Sequence, residues 1–134
     1  MKLSTRARYG LRMLVDLARQ GGETVTLQSI GERQEVSVNY LEQVAKDLKR
    51  AGYVGSIKGP QGGYYLSQDP SDVNVGEALR ALEGDVRLTE RKKSGDESLL
   101  RQSVRECVYD PLNAALAELF DSLTLEDIIK GDKL

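Results

Sequence analysis

The chain contains no histidine and a single cysteine, Cys107, in 134 residues. Without histidine the usual general base and the commonest metal ligand are both missing, and one thiol excludes an intramolecular disulfide. No stretch approaches the roughly 20 apolar residues that a membrane-spanning helix requires. The opening Met1-Lys2-Leu3-Ser4-Thr5-Arg6 is polar and basic. It lacks the apolar run and small-residue cleavage site of a secretory signal, which predicts a cytoplasmic protein with no membrane partner. A chain of this size has room for one compact domain and an appendage, which argues against a multidomain enzyme.

What is there is an uneven distribution of charge. The net charge is -2, yet residues 1–67 carry ten Lys and Arg against six Asp and Glu, whereas residues 68–134 carry nine against fifteen. A basic first half can neutralise phosphates while an acidic second half faces elsewhere, so a nucleic-acid partner has to be judged segment by segment.

The spacing of Ala7, Gly10, Leu11, Met13, Leu14, Leu17 and Ala18 predicts a first helix, with Ser4 or Thr5 as its cap and Gly21-Gly22 as its stop. After a short extended link at Val25, Thr26 can cap a brief helix through Ile30 to Gln34, and a turn follows at Glu35-Val36. Ser37 can cap a third helix, with Val38, Leu41, Val44, Ala45 and Leu48 on its apolar face and Gly52 as terminator. Its other face is Asn39, Glu42, Gln43, Lys46, Lys49 and Arg50. Two short helices joined by a tight turn form a helix-turn-helix layout. The strands expected at 53–57 and 64–66, separated by the loop Gly59-Pro60-Gln61-Gly62-Gly63, add a wing. Glycines at that tip permit close approach to a phosphate backbone.

Beyond the wing, Asn74 and Glu77 make a capping-box-like start for a helix ending at Gly84. The fold class is therefore mainly α: a winged helix-turn-helix DNA-binding domain over 1–84, a mobile loop over 85–98, and a dimerisation helix with a C-terminal tail over 99–134. The last assignment rests on Val108, Leu112, Leu116, Leu119 and Phe120, an apolar stripe longer than a small wing domain needs for its own core. Asp110-Pro111 reads as an N-cap with proline at the first helical position, predicting either a kink or a fresh helix start.

Five motifs in order carry a resemblance to the Rrf-two family of bacterial transcriptional regulators. They are Leu3-Ser4 with Arg8-Tyr9-Gly10-Leu11, Ser37 with Tyr40-Leu41-Glu42-Gln43, Gly59-Pro60 with Gly62-Gly63-Tyr64, Gly76-Glu77 with Leu82-Glu83-Gly84, and Leu123-Thr124-Leu125-Glu126-Asp127. The resemblance implies a cytoplasmic homodimer, a repressor on imperfect palindromes of double-stranded DNA. It further implies base contacts from Ser37, Asn39, Tyr40, Glu42 and Gln43, and wing contacts from Lys58, Gly59, Gln61 and Gly62. Chemistry agrees: Glu42 can accept from a cytosine amino group and Gln43 can pair with adenine. Tyr40 can equally pack its ring on the core. Lys2, Arg6, Arg8 and Arg50 are expected as phosphate anchors, with Ser4 and Tyr9 beside them.

Cluster-bearing relatives place three cysteines before the long helix and add one further ligand. A two-iron cluster needs about four protein ligands, and one thiolate without histidine does not supply them, so no cofactor or metal is expected. Asp110 falls where some relatives carry a histidine ligand, but a helix cap explains it better. Cys107 is either a redox sensor, in a thiol- or partner-protein-responsive regulator of sulfur metabolism, or an inert buried thiol in the dimer helix. A protein-interaction module without DNA binding is the reading that the acidic half supports. An enzyme is the poorest: the acid pairs Glu42 and Asp47, and Glu118 and Asp121, have no nucleophile nearby, and no helix follows Gly59–Gly63 to hold a phosphate.

Overall fold

The computed structural model describes residues 2–89, 95 and 97–131. Helix α1 (Thr5–Arg19) begins where Ser4, in extended conformation, accepts the Ala7 N–H with its hydroxyl. That bond satisfies one of the donors that a first helical turn leaves open. Met13, Leu14 and Leu17 of α1 are fully buried. Thr26 caps α2 (Leu27–Gln34) and Ser37 caps α3 (Val38–Arg50). Between the two helices Glu35 adopts the left-handed conformation, φ 56 and ψ 48, and the Val36 N–H donates to the Gly31 carbonyl at 3.0 Å. A Cβ at Gly31 would stand 2.8 Å from the Val36 oxygen, so any side chain there would force this turn open.

Strands β1 (Val54–Ile57) and β2 (Gly63–Leu66) pair antiparallel, Val54 opposite Leu66 and Ile57 opposite Gly63. Val25 is more than a link. It exchanges two 2.7 Å backbone hydrogen bonds with Tyr64, which fastens the hairpin to the segment between α1 and α2. A 3₁₀ turn (Pro70–Asp72) leads to α4 (Val75–Glu83), capped by Asn74. The core joins Ile30, Leu41, Val44, Leu48, Val73 and Leu79 to the apolar side of α1.

The long C-terminal helix comprises α5 (Leu99–Val104), a π turn (Arg105–Tyr109) and α6 (Asp110–Asp121), continuous over 23 residues. The expected cap at Asp110 is absent. Asp110 is itself helical, φ -63 and ψ -46, and its carboxylate accepts from Arg105 Nη1 at 2.9 Å. The reason lies in Pro111, which offers no N–H and whose ring would strike the carbonyl four residues earlier. The π turn, in which the Asp110 N–H donates to the Arg105 carbonyl, widens the helix at that point and lets it continue.

The segment after α6 is not a tail. Helix α7 (Leu125–Lys130) starts with a reciprocal capping box between Thr124 and Asp127, and Leu125 is fully buried in the winged core. The Val75 N–H donates to the Leu123 carbonyl, the Leu125 N–H to the Val73 carbonyl, and Asn74 Nδ2 to the Asp121 carbonyl. Arg80 grips Asp121 with two bonds of 2.8 and 3.0 Å. The long helix is thereby held firmly at its C-terminal end. Of the loop expected over 85–98, residues 90–94 and 96 lie outside the described residues. At its start Val86 packs on the core and the Leu88 N–H donates to Asn113 Oδ1 at 2.6 Å.

One carboxylate sits inside the apolar face of α1. Asp16 is 2% exposed and accepts from Arg33 Nε (3.0 Å), Arg33 Nη2 (2.7 Å) and Gln34 Nε2 (3.0 Å), clamping α1 to the end of α2. Burial pushes its carboxyl up, but the Arg33 and Gln34 hydrogen bonds and the positive charges of Arg33 and Arg19 outweigh this and hold it below its ordinary value. A lowered carboxyl stabilises the fold at pH values above the unfolded carboxylate range, and the contribution fades as pH falls below about 4. Asp16→Asn is expected to cost about 3 kcal/mol in urea denaturation at neutral pH. That is toward the low end for a broken buried pair, because the Arg33 side chain keeps 42% exposure. The variant should also lose part of the parent's stability change between pH 5 and 3, and an unaltered acid profile would contradict the role given to this carboxylate.

Candidate nucleic-acid interface

Helix α3 buries Leu41, Val44 and Leu48 and turns Asn39, Glu42 and Gln43 outward. Those three side chains are exposed and make no hydrogen bond among the described residues. Their donors and acceptors are free for base edges, as a helix entering the major groove requires. Lys49 Nζ donates to Ser56 Oγ at 2.6 Å and ties the same helix to the hairpin.

At the wing tip Gly59-Pro60-Gln61-Gly62 forms a tight turn, with the Gly62 N–H donating to the Gly59 carbonyl at 2.9 Å. A Cβ on Gly62 would lie 2.1 Å from the Ile57 oxygen, so this return path is open to glycine alone. Lys58, Gly59 and Gln61 are exposed at the tip, and Gly62 is half-buried.

The expected phosphate anchors divide. Lys2 and Arg8 are exposed, and Arg8 Nη2 donates only to Thr5 Oγ1, at 3.2 Å, among the described residues. Arg6 instead pairs with Asp47 at 2.8 Å and joins α1 to α3. Arg50 lies 3.7 Å from the same carboxylate with 81% of its side chain exposed, so it keeps its reach. Ser4 is taken up by structure: its hydroxyl caps α1 and bonds Glu83, and its N–H donates to both Glu83 oxygens. Ser37 likewise caps α3.

Tyr40 and Tyr9 form a pair. Their rings meet edge to face with centroids 5.3 Å apart, and the Arg12 guanidinium lies 5.7 Å from the Tyr9 centroid. The Tyr40 ring is half-buried against the core, the alternative that the sequence left open. Arg12 also donates through Nη2 to the Gln34 carbonyl at 2.7 Å and through Nε to Gln34 Oε1 at 3.1 Å. Neither Arg12 nor the Asp16 clamp stands out in the sequence as functional. The available signal was an acid placed on the buried face between Leu14 and Leu17.

Cys107 is exposed on the π turn of the single chain, next to Val108 of the apolar stripe. Its neighbour Arg105 is held by Glu97 and Asp110, which raise its guanidinium further and occupy its charge. Among the described residues no group of three or more His, Cys, Asp or Glu side chains converges as metal ligands would. No described helix is long and apolar enough to cross a membrane.

The profile of the Rrf2 family, described as iron-dependent transcriptional regulator, matches residues 3–131. The chain is 39% identical to the HTH-type transcriptional regulator CymR of Bacillus subtilis, over 96% of this chain and 89% of that protein. It is 38% identical to the HTH-type transcriptional regulator IscR of Cereibacter sphaeroides, over 98% and 89%. Among solved structures it resembles that of CymR, the global cysteine regulator of B. subtilis, with a TM-score of 0.85 and 34% identity over 99% of each chain. IscR of T. potens gives a TM-score of 0.78 and 38% identity over 98% of this chain and 88% of the other. A winged helix with a free polar outer face on α3, matched along nearly its whole length, places the chain in the Rrf2 family of DNA-binding transcriptional regulators, the non-enzymatic class to which these relatives belong.

Proposed function

We propose that the chain is a cytoplasmic repressor that reads imperfect palindromes as a homodimer and carries no iron-sulfur cluster. The observation that carries the DNA-reading part is the unsatisfied outer face of α3, Asn39, Glu42 and Gln43, set beside a wing that exposes Lys58. Phosphate contacts position such a protein and base contacts specify its site. Lys58→Ala and Arg8→Ala are therefore expected to weaken binding to all DNA sequences alike and to reduce the slope of log affinity against log salt by about 1 each. Titration of labelled duplexes at several salt concentrations measures this. A loss confined to one sequence would overturn the anchor role.

Dimerisation rests on where the apolar surface lies. Of the seven large hydrophobic residues exposed among the described residues, Leu99, Leu100, Val108, Tyr109, Leu112 and Leu119 all belong to the long helix. An apolar stripe of that extent on one element marks an association surface. Leu116 is half-buried at its border. Phe120 departs from the expectation, since it packs against its own core beside α4 and leaves the free stripe to Val108, Leu112 and Leu119.

The family's description as iron-dependent has to be tested against the donors present. One exposed thiol and an Asp110 already engaged by Arg105 do not make a cluster site, and the sequence holds no histidine to complete one. Anaerobic reconstitution with iron and sulfide is expected to leave the protein colourless, and stoichiometric iron with visible absorption bands would contradict this. The exposure of Cys107, with the likeness to a regulator named for cysteine, favours a second reading: a regulator of sulfur metabolism that senses through this thiol or through a bound enzyme. Arg105 gives it little help, because its charge is already shared with Glu97 and Asp110.

A further inference from the structure

Arg12 of α1 is connected to both ends of the turn between α2 and α3. On one side its fork closes on a single residue, Nη2 donating to the Gln34 carbonyl at 2.7 Å and Nε to Gln34 Oε1 at 3.1 Å. Gln34 is the last residue of α2, and its carbonyl is among those that a helix end leaves without a helical donor. A guanidinium at that end also meets the negative pole of the helix. Gln34 Nε2 in turn donates to Asp16 Oδ2 at 3.0 Å, so the residue that opens the turn is fixed from two positions on α1. On the other side the Arg12 guanidinium lies 5.7 Å from the centroid of the Tyr9 ring, and that ring meets Tyr40 in the first turn of α3 edge to face. Tyr40 follows Asn39 and precedes Glu42 and Gln43.

We infer that Arg12 is a positioning residue for DNA reading: it sets the angle at which α3 leaves the turn, and with it the places of Asn39, Glu42 and Gln43 over base edges. The inference deepens the DNA-binding reading and rests on it. Helix α1 carries the proposed anchor Arg8 and α3 carries the outer polar face, so the two helices must keep one relative orientation for phosphates and bases to be met together. Hydrogen bonds to base edges tolerate little displacement, and the side chains that make them need a support locked by contacts of its own. The Arg6–Asp47 pair joins the same two helices further along α3. Arg12 governs the N-terminal end of α3, the end from which such helices contact bases. Its Nε and Nη2 are committed to Gln34, so it acts on the duplex through the turn and through Tyr40 and is not itself an anchor.

The test has two arms. Arg12→Met removes the fork, and Arg12→Lys keeps the charge without the planar fork. In the DNA-free full-length protein both are expected to shift the backbone amide resonances of Asn39, Tyr40 and Glu42 and to leave those of Gln61 and Gly62 at the wing tip in place. Unaltered α3 resonances would overturn the positioning whether or not the protein binds DNA. The second arm titrates the operator selected by the parent, and duplexes changed one base pair at a time, at a temperature well below the melting transition of every variant. Discrimination at the positions read by α3 is expected to fall about tenfold or more in either variant. Affinity for unrelated DNA and the slope of log affinity against log salt should stay as in the parent. Arg33→Met, which breaks the Asp16 clamp but leaves the Gln34 carbonyl and Tyr9 to Arg12, should lower the melting temperature and keep discrimination. Unchanged discrimination in Arg12→Met, or an equal loss in Arg33→Met, would overturn the inference. So would a loss shared by all sequences with the salt slope reduced by about 1, which marks a phosphate anchor. A parent that discriminates among no duplexes, with α3 resonances still moved by Arg12→Met, would mark a failure of the DNA-binding reading and not of the link from Arg12 to α3.

Discussion

Leu119→Glu is expected to convert the protein to a monomer and to lower operator affinity by about a hundredfold or more. Leu119 is 55% exposed on the free stripe of the long helix, with Leu112 and Val108 beside it. In a two-fold dimer the same residue is contributed by both copies, so a carboxylate there is desolvated twice. Each half-site contributes base contacts worth ~1 to 3 kcal/mol apiece, and a monomer keeps one set. Because Asn74 and Arg80 hold Asp121 at the end of this helix, a dimer formed through it would set the spacing of the two copies of α3 as well as their association. Sedimentation of parent and variant at equal concentration decides it. A variant that remains a dimer, or a parent that is monomeric yet binds its operator tightly, would remove the stripe from this role. Phe120, packed on its own core, makes the poorer probe, because its replacement would damage the fold and the association together.

Glu42→Ala is the second change of large effect. Glu42 stands on the outer face of α3 with no partner among the described residues. Removing it should erase discrimination at one operator position, worth ~1 to 3 kcal/mol or roughly tenfold and more, while affinity for unrelated DNA is kept or rises as a negative charge leaves the interface. Competition with duplexes changed one base pair at a time reads this directly. Unchanged discrimination at every position would show that Glu42 reads no base. The same assay with Arg50→Ala should instead lower every duplex together.

Helices α1 to α3 and the wing were legible because their signals are local. A cap, an apolar period, a turn and a glycine tip each involve neighbours in sequence, and all four occur where the residues put them, although the left-handed conformation of Glu35 in that turn was not foreseen. Contacts that cross the fold were not legible. Asp16 meets Arg33 from another helix, and nothing in the α1 period says that its buried side holds a partner for a carboxylate. Ser4 and Arg6 were assigned to DNA on residue type, whereas Glu83 and Asp47, remote in sequence, engage them. Asp110-Pro111 was legible in part. The pair predicts a kink or a fresh helix start because proline lacks an N–H, and a π turn accommodates that lack inside a continuous helix. The stripe of the long helix mixed two faces, since Leu119 and Phe120 are adjacent in sequence and periodicity does not separate a residue's own core from a partner's.

Selection of bound duplexes from a random pool by the full-length protein, repeated at low and high salt, bears most directly on the central claim of a two-fold reader of DNA. The account predicts enrichment of an imperfect palindrome whose half-site centres lie about one helical turn, ~34 Å, or a multiple of it apart, with affinity falling steeply as salt rises. Enrichment of a single unpaired half-site, or no enrichment above the starting pool, would contradict it.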